Sequence, residues 1–573
     1  MAPQNESALA LGQTRSWSQA NIGGLLGYAA IWVFFGVFLI YPLIRLFFDA
    51  VTATETGSFT LQNFRDFFTD SFYLKTLWNS ILLGLGTVVT TSIIGITFAF
   101  LLLRYDFPGR GLFSYLSFVP MIMPPLVGVM GFVFILGRAG TVNIILMDYF
   151  GLTKPINFMY GIQGVLLVET LHLFPLMTLS IVDAMGKISP SLDEAAESVG
   201  SRGLRKFWDI TFPLTTPGYV SGALLVFIWT FADFATPLVV GVDDLLASQA
   251  YLNIVQFVDR RLFKMGIVIS AIMVILAIFF LIVAKKYVAI KDYSSLSYSV
   301  IERKKLSVGG KIGVICFLGV IILMAFIPYL GIALDSFGKG WALTPLPVKY
   351  TLQYFQRVSI ETPKFILNSL LYSGISVIIC IAVGVPVAWV LAITRLPGRE
   401  FLDSLTTLIL ALPGTGIGIA YLRAFREPFP YMSTALIGMW IVIPIVLGVR
   451  RLPYTVRGTF ASLLIVHKSF EEAAESVGAP KMKTFKDVTL PLIWKGVLVG
   501  SLYSFILALQ EASATLLLVV PGHEMMTVGI FNFYIGGSIN EAAALGLILI
   551  FLGAACLFVI TKVAGTKMGG VFG

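Results

Sequence analysis

Charged residues are scarce in this chain of 573 residues. Lysine, arginine, aspartate and glutamate together make up 12% of it, whereas a typical soluble domain carries about 25%. Hydrophobic residues make up 57% of the chain, and its mean hydropathy is +0.89. This composition excludes an ordinary soluble enzyme, a disordered chain and a secreted disulfide scaffold. It indicates a polytopic membrane protein.

Cysteine and histidine are also rare, with three of each in the chain. The cysteines lie far apart in apolar segments, so no spacing typical of a disulfide framework or a metal site exists. The histidines are scattered and none forms a nucleophile–base pair, which excludes an intramembrane enzyme with convergent catalytic groups. We therefore expect no catalytic residue and no metal site. The three cysteines are Cys316, Cys380 and Cys556, and the three histidines are His172, His467 and His523.

Twelve apolar segments approach the length of about 20 residues that a membrane span needs. We predict an all-α polytopic membrane protein with about 12 transmembrane helices in two parallel six-helix repeats. The 401–449 region is the least regular, because Arg423, Arg426 and Glu427 interrupt it. The predicted spans are 25–48, 78–103, 112–137, 160–183, 216–240 and 266–285 in the first half, and 311–334, 367–392, 401–421, 434–449, 495–521 and 541–562 in the second.

The net charge of +9 reflects orientation in the membrane and not nucleic-acid binding. With the N-terminus in the cytoplasm, 26 of the 40 lysines and arginines fall on the cytoplasmic side and 14 on the other. Seven of them lie between residues 285 and 311. This bias is the positive-inside rule, and it places both termini in the cytoplasm. A single basic residue, Arg15, precedes the first apolar run, which we interpret as a retained span and not a signal peptide.

One segment of the chain occurs twice. Residues 191–214 and 469–492 are identical at 13 of 24 positions, at a constant offset of 278, and both contain EAAESVG. Further matched pairs lie at an offset of 289, among them Pro124 with Pro413. We therefore predict two homologous repeats, 1–295 and 306–573, joined by a basic linker at 296–305.

The repeated segment has the features of a short, capped helix. Ser191 with Glu194 has the spacing of a capping box, and its counterpart in the second repeat begins at Ser469. Gly200 and Gly478 stand where a left-handed residue would end the helix. A helix of about eight residues is marginal in water unless it docks against a partner. The small side chains that would allow close approach are Ala195, Ala196, Ala473 and Ala474.

This segment resembles the signature of permease subunits of bacterial type I ABC importers. The signature reads Glu-Ala-Ala, three residues, Gly, nine residues, Ile or Val, one residue, and Leu or Phe before Pro. The first copy matches from Glu194 to Pro213, with Phe212 in place of Leu, and the second from Glu472 to Pro491. The resemblance implies that the segments near 191–200 and 469–478 are coupling helices, which dock into the ATPase subunit. The alternative to a coupling helix is a connecting helix that lies flat on the membrane.

The resemblance also implies the partners of this chain. No Walker-type phosphate-binding motif occurs in the sequence, so a separate ATPase, present in two copies, would use ATP and Mg. We expect a periplasmic or lipid-anchored substrate-binding protein, contact with membrane lipids, no cofactor on this chain and no nucleic acid. The expected location is the bacterial inner membrane.

The fused layout and the stretch EASATLLL at 511–518 look most like the ferric-iron permease branch. That resemblance makes ferric iron the predicted substrate. Close relatives in that branch leave 2-aminoethylphosphonate, thiamine, polyamines and phosphorylated sugars open.

Charged residues inside predicted spans are candidates for the translocation path. Asp233 and Glu511 lie in the fifth and eleventh spans at the same offset of 278. They would face the pathway between the repeats, or be satisfied by a neighbouring helix. Glu169 and His172 share a helix face and form either a relay, a metal half-site or a structural pair.

Prolines interrupt the third span of each repeat, at Pro124 and at Pro413. Matched interruptions point to a substrate path, and a packing kink is the alternative. The loops at 49–77 and 241–265 carry charges of both signs, which suits either a binding-protein contact or ordinary solvation.

A secondary transporter of the major facilitator kind also has 12 spans in two parallel halves. Span count does not discriminate between the two classes. The repeated, capped segment does, and it favours the importer.

Overall fold

The structure, a computed structural model, describes residues 22–53, 56–256, 258–290, 303–341, 344–428, 433–466 and 468–564. Arg15, Glu55, His467 and most of the predicted linker lie outside these ranges. The described chain is a bundle of α-helices with four two-residue strands. The prediction of an all-α polytopic membrane protein is confirmed.

The first half of the chain contains the longer series of helices. These are α1 (Ile22–Phe35), α2 (Tyr41–Ala50), α3 (Gln62–Thr69), α4 (Ser71–Arg104), α5 (Arg110–Leu116), α6 (Pro125–Leu136), α7 (Thr141–Phe150), α8 (Ile162–Gly186), α9 (Pro190–Ser198), α10 (Gly203–Lys206), α11 (Phe212–Ala232), α12 (Ala235–Val239), α13 (Leu246–Val255) and α14 (Arg260–Ile290).

The second half repeats this order from its second long helix onward, so that α17 corresponds to α4 and α26 to α14, except that α7 has no α-helical counterpart among the described residues. Its helices are α15 (Val308–Phe337), α16 (Gln353–Gln356), α17 (Lys364–Ile393), α18 (Arg399–Ala411), α19 (Gly414–Ala424), α20 (Val442–Ile465), α21 (Lys468–Ser476), α22 (Lys481–Thr484), α23 (Leu490–Leu509), α24 (Ser513–Leu517), α25 (Met526–Ile535) and α26 (Ile539–Ala564).

The strands are short connections between these helices. Strand β1 (Tyr105–Asp106) pairs in parallel with β2 (Lys304–Lys305), and β3 (Gly338–Lys339) pairs antiparallel with β4 (Lys349–Tyr350). The first pairing ties the end of the predicted linker to the turn after α4.

In the described part of the chain, three helices follow directly on a π turn and have proline as their second residue. The π turns Phe207–Thr211 and Phe485–Thr489 precede α11 and α23, in which Pro213 and Pro491 are the second residues. The turn before α2, where Pro42 stands, has the same form. Proline has no N–H to donate to the carbonyl four residues earlier, and a π turn accommodates that missing bond.

Among the described residues, ten helices are long and apolar enough to cross a membrane. An eleventh span results if α18 and α19 count as one span, bent by 110° at its break. This criterion does not reach the predicted count of 12, because α20 carries three arginines. Helix α20 also begins and ends later than the predicted span at 434–449, so Arg450 and Arg451 lie within a helix and not in a loop.

The first span of each half packs on the other half. Helix α15 packs against α6, and α2 against α19. At the first crossing the backbones touch, since a Cβ atom on Gly331 would collide with the carbonyl of Gly131. At the second crossing the Tyr421 hydroxyl donates to the carbonyl of Phe38. The two halves therefore interlock around a common centre.

Candidate functional site

The repeated segments form the short helices α9 and α21, on the same face of the molecule. Gly200 and Gly478 follow them with φ of 81° and 85°, which is the left-handed conformation expected at these positions. The capping boxes are not formed as predicted. Helix α9 begins earlier, and the hydroxyl of Ser189 accepts from the amide of Ser191. Ser469 is likewise the second residue of α21 and not its cap.

Both short helices leave apolar side chains exposed at equivalent positions. Val199 is 82% exposed and Val477 is 85% exposed, 278 residues apart. Two turns earlier, Leu192 and Phe470 form a second exposed pair. Apolar side chains exposed at equivalent positions of two short helices are typical of a surface that contacts another protein.

The signature residues of these helices take different positions. Ala195 and Ala473 are exposed, as is Glu472, whereas Ala196 is buried and Ala474 is half-buried. The side chain of Glu194 lies outside what the structure describes. The alanine pairs therefore face partly into the chain and partly outward.

The two short helices are tethered by different contacts. Glu197 in α9 accepts from Lys206 at 3.0 Å and from Lys304, at the end of the linker, at 2.7 Å. The hydrogen bond from Lys304, followed by that from Lys206, lowers the pKa of the exposed Glu197 carboxyl to about 2. In α21, Glu471 accepts from the hydroxyl of Thr489 at 2.8 Å. The linker thus binds the first short helix directly.

A cavity of about 140 Å³ lies between the two halves, at the level where α11 and α23 end. Both halves contribute charged or titratable side chains to its wall. These are Glu169, His172 and Asp233 from the first half, and Arg450, Arg451 and Glu511 from the second. The structure therefore brings together four of the predicted path residues, Glu169, His172, Asp233 and Glu511. It adds Arg450 and Arg451, which lie outside the predicted spans.

The first-half wall is built around two acids. The carboxyl of Glu169 interacts with that of Asp233 and accepts from the hydroxyl of Thr230 at 3.4 Å. Asp233 also accepts from the backbone amides at the start of α12, at 3.0 and 3.3 Å. The His172 ring bonds the backbone carbonyl of Pro120. Asp233 thus caps a short helix and faces the cavity.

The second-half wall is built around one acid and two arginines. Glu511, 4% exposed, forms ion pairs with Arg450 and Arg451. It also accepts from the amide of Ala514 at 3.2 Å, at the start of α24. Among the described residues, the buried Nε of Arg451 has no hydrogen-bond partner.

The two walls correspond position by position. Arg450 stands 278 residues after His172, as Glu511 does after Asp233. Pro175 in α8 and Pro453 in α20 keep the same offset. These matched prolines would have identified Arg450 as the counterpart of His172 if the predicted span had been extended beyond residue 449.

The proline interruptions lie at matched breaks beside this cavity. Pro124 precedes α6 and Pro413 precedes α19, with nearly identical φ and ψ. The next residues, Pro125 and Gly414, line the cavity. A Cβ atom on Gly414 would lie 2.8 Å from Nη1 of Arg450, so glycine lets the guanidinium approach the break.

A larger cavity of about 660 Å³ adjoins the central one and extends toward the face with α9 and α21. Trp229, Leu410 and Tyr454 line both cavities. The larger cavity reaches Asp183 and Lys187 at the end of α8.

The charged loops on the opposite face are held within the structure. Asp49 forms an ion pair with Arg423, beside a separate cavity of about 620 Å³. Asp244 binds Lys75 at 2.9 Å, and Asp259 accepts from backbone amides at the start of α14. Of the described residues, no three His, Cys, Asp or Glu side chains are arranged to hold a metal ion.

A model of one protein family matches the chain twice, at residues 91–289 and 365–569. Its description is "Binding-protein-dependent transport system inner membrane component". The chain belongs to this family. It is a multi-pass inner membrane protein, a fused two-repeat permease subunit of the ABC importer type and not an ATPase.

Curated relatives align over most of the chain. It is 27% identical to the ferric transport system permease protein FbpB of Actinobacillus pleuropneumoniae over 549 residues, which cover 95% of this chain and 78% of the relative. It is also 27% identical to a putative ferric transport system permease protein FbpB of Haemophilus influenzae, over 84% of this chain and 76% of the relative.

Among solved structures, a chain of a bacterial alginate ABC transporter, in complex with an alginate pentasaccharide-bound periplasmic protein, matches with a TM-score of 0.36. It is 17% identical, and the match covers 48% of this chain and 93% of that one.

Proposed function

We propose that this chain forms the translocation pathway of a binding-protein-dependent importer and that a separate ATPase dimer drives it by alternating access. Helices α9 and α21 dock one ATPase copy each. The observation that carries the proposal is the repeated exposure of Val199 and Val477 beside the glycines that end these helices. A hydrophobic contact repeated at a fixed offset suits a partner with two equivalent sites.

The cavities suggest how the pathway opens. The central cavity adjoins a larger one toward the face with α9 and α21, and it shares no lining residue with the cavity on the opposite face. In the proposed cycle this arrangement is the inward-facing one. Closure of the ATPase dimer, which uses ATP and Mg, draws the two short helices together, and the halves rock to open the opposite face.

The proposed orientation follows from the same assignment. The face with α9 and α21, and both termini, lie in the cytoplasm. A periplasmic or lipid-anchored binding protein delivers substrate to the opposite face. Ferric iron is the proposed substrate, because the relatives that align over most of the chain are ferric transport permeases by name.

Co-purification from native membranes tests the docking assignment. The double variant Val199→Asp and Val477→Asp places a charge in each proposed contact, which costs about 2–4 kcal/mol per site. We expect the wild type to retain about two ATPase copies, counted by quantitative mass spectrometry, and the double variant to lose them. Val258→Asp is the matched control, because Val258 is 85% exposed on the opposite face.

Two outcomes would contradict the proposal. If Val258→Asp removes the ATPase as fully as the double variant, the loss is not specific to α9 and α21. If the wild type purifies alone and still moves solute along an ion gradient in liposomes, the chain works as a secondary transporter.

A further inference from the structure

The second-half wall of the central cavity carries an excess of positive charge. Two guanidinium groups, Arg450 and Arg451, share the single carboxylate of Glu511. Their side chains are 13% and 12% exposed, and a guanidinium has five N–H donors to satisfy. Because a buried charge is costly without a partner, this wall favours an additional anion.

The first-half wall carries the opposite excess. The carboxyls of Asp233 and Glu169 form a hydrogen bond with each other, so they share a proton and together carry one negative charge. In the described part of the chain neither forms an ion pair with lysine or arginine. His172 stands where the second half has Arg450, and its ring bonds a backbone carbonyl. An imidazole that donates to a carbonyl does not replace a permanent cation. This wall therefore favours a cation.

We propose that the central cavity receives a small cargo with one anionic and one cationic centre. The anionic group binds Arg451 and Arg450, and the cationic centre faces Asp233 and Glu169. The inference rests on the proposed importer function and names the substrate class of its pathway. A purely anionic cargo would leave the negative charge of the first-half wall without a cation, and a purely cationic one would leave the excess positive charge of the arginines without an anion.

Two sources could supply this chemistry. One is an organic zwitterion in which a phosphonate or carboxylate is joined to an amine. The other is a ferric ion that enters together with an anionic ligand. The volume of about 140 Å³ limits either to a small species.

Equilibrium dialysis of labelled probes against the full chain in lipid nanodiscs tests the proposal. The probes are 2-aminoethylphosphonate, ethylphosphonate, putrescine and ferric citrate. We expect 2-aminoethylphosphonate or ferric citrate to bind, and whichever binds identifies the source. Ethylphosphonate and putrescine each lack one of the two charges and should bind at least about tenfold more weakly, a difference of about 1.4 kcal/mol.

Variants of each wall assign the two ends of the cargo. Arg451→Gln leaves Glu511 paired with Arg450, and it should weaken binding about tenfold or more, with partial recovery in Arg451→Lys. Arg457→Gln is the matched control on the same helix, since Arg457 binds Asp403 and Thr407. Asp233→Asn keeps an oxygen to cap α12 but removes the charge. It should abolish any preference for 2-aminoethylphosphonate over ethylphosphonate.

The proposal is overturned if no probe binds at millimolar concentration, or if ethylphosphonate or putrescine binds as tightly as the two-charge probes. It is also overturned if Arg457→Gln and Arg451→Gln weaken binding equally. Co-purification of the ATPase, measured on the same variants, keeps the two hypotheses apart. Loss of probe binding with the ATPase retained refutes only the cargo class, whereas wild-type binding without any ATPase, together with transport along an ion gradient in liposomes, refutes the importer function.

Discussion

The two halves of this chain place an acid at the same position and surround it differently. In the second half, Glu511 forms ion pairs with Arg450 and Arg451. In the first half, Asp233 lies beside another acid, Glu169, and the residue equivalent to Arg450 is His172. Both acids also cap a short helix at the end of a span.

This difference shows which part of the repeated design is structural. The carboxylate that caps the helix is common to both halves, so the break in the span requires it. The side chains on the neighbouring helix differ, so the charge of each cavity wall is free to change. Fusion of two repeats in one chain allows such asymmetry. Because equivalent positions of the two repeats are encoded separately, each half can carry a different side chain there.

The largest expected effect comes from removing the acid of each wall in turn. Glu511→Gln leaves two buried guanidinium groups without a carboxylate and should lower the free energy of unfolding by about 3–5 kcal/mol. Asp233→Asn removes a charge that has no cationic side-chain partner in the described part of the chain and should cost about 1 kcal/mol. Unfolding in detergent, followed by circular dichroism, measures both.

Equal losses in these two variants would remove the distinction between the walls. A larger loss for Asp233→Asn would reverse it and would mean that the first-half acid is the more strongly stabilised charge.

A second comparison concerns the two crossings between the halves. Gly331 lies against the backbone of Gly131, so Gly331→Ala forces the α15–α6 crossing apart and should cost about 1–3 kcal/mol. Gly319→Ala on the same helix is the control, because nothing lies within 4 Å of the added carbon. The crossing of α2 with α19 should tolerate Tyr421→Phe better, at about 1 kcal/mol for its hydrogen bond.

These costs are read from the same unfolding measurement. If Gly319→Ala and Gly331→Ala have equal effects, helix propensity and not contact between backbones explains the loss.

The smallest effect concerns the different tethers of the two short helices. Because Lys304 and Lys206 lower the pKa of Glu197 from 4.5 to about 2, its contribution is complete above pH 4.5 and disappears as the pH falls through about 2. We expect hydrogen exchange of the β2 amides, corrected for intrinsic rates, to stay slow from pH 7 to pH 4. In Glu197→Gln these amides should exchange faster throughout that range.

The equivalent change in the second half, Glu475→Gln, should leave exchange in β2 unaltered. If it accelerates β2 as much as Glu197→Gln does, the tether is not specific to the first short helix. Added salt should reduce the difference between wild type and Glu197→Gln, because the contact between Lys304 and Glu197 is exposed.

Much of the candidate site could be predicted from the sequence because it is repeated. The offset of 278 that relates the EAAESVG segments also relates Asp233 to Glu511, and both acids line the cavity. Pro124 and Pro413 mark the breaks correctly, although their neighbours Pro125 and Gly414 supply the lining. In the first repeat the predicted cap, Ser191, is wrong because Ser189, two residues before the repeat begins, takes that role.

Arg450 and Arg451 show where sequence reasoning stopped. A hydropathy criterion ends an apolar span at consecutive arginines. The predicted span therefore stops at residue 449, and Arg450 and Arg451 count among the 26 charges predicted to be cytoplasmic. Inside a protein, a carboxylate on another helix can neutralise such charges. No local pattern shows that Glu511, 60 residues later, is that partner.

The helical class, the duplication and the two short helices that end in glycine can be read from the sequence alone, because they follow from composition, periodicity and local backbone preference. The packing of α15 on α6, the pairing of Glu511 with two arginines and the enclosure of one cavity by both walls emerge only when the chain is folded. Those contacts join residues far apart in the chain. Which helix faces of a membrane bundle meet depends on close packing between helices, and that information lies outside the pattern of any single segment.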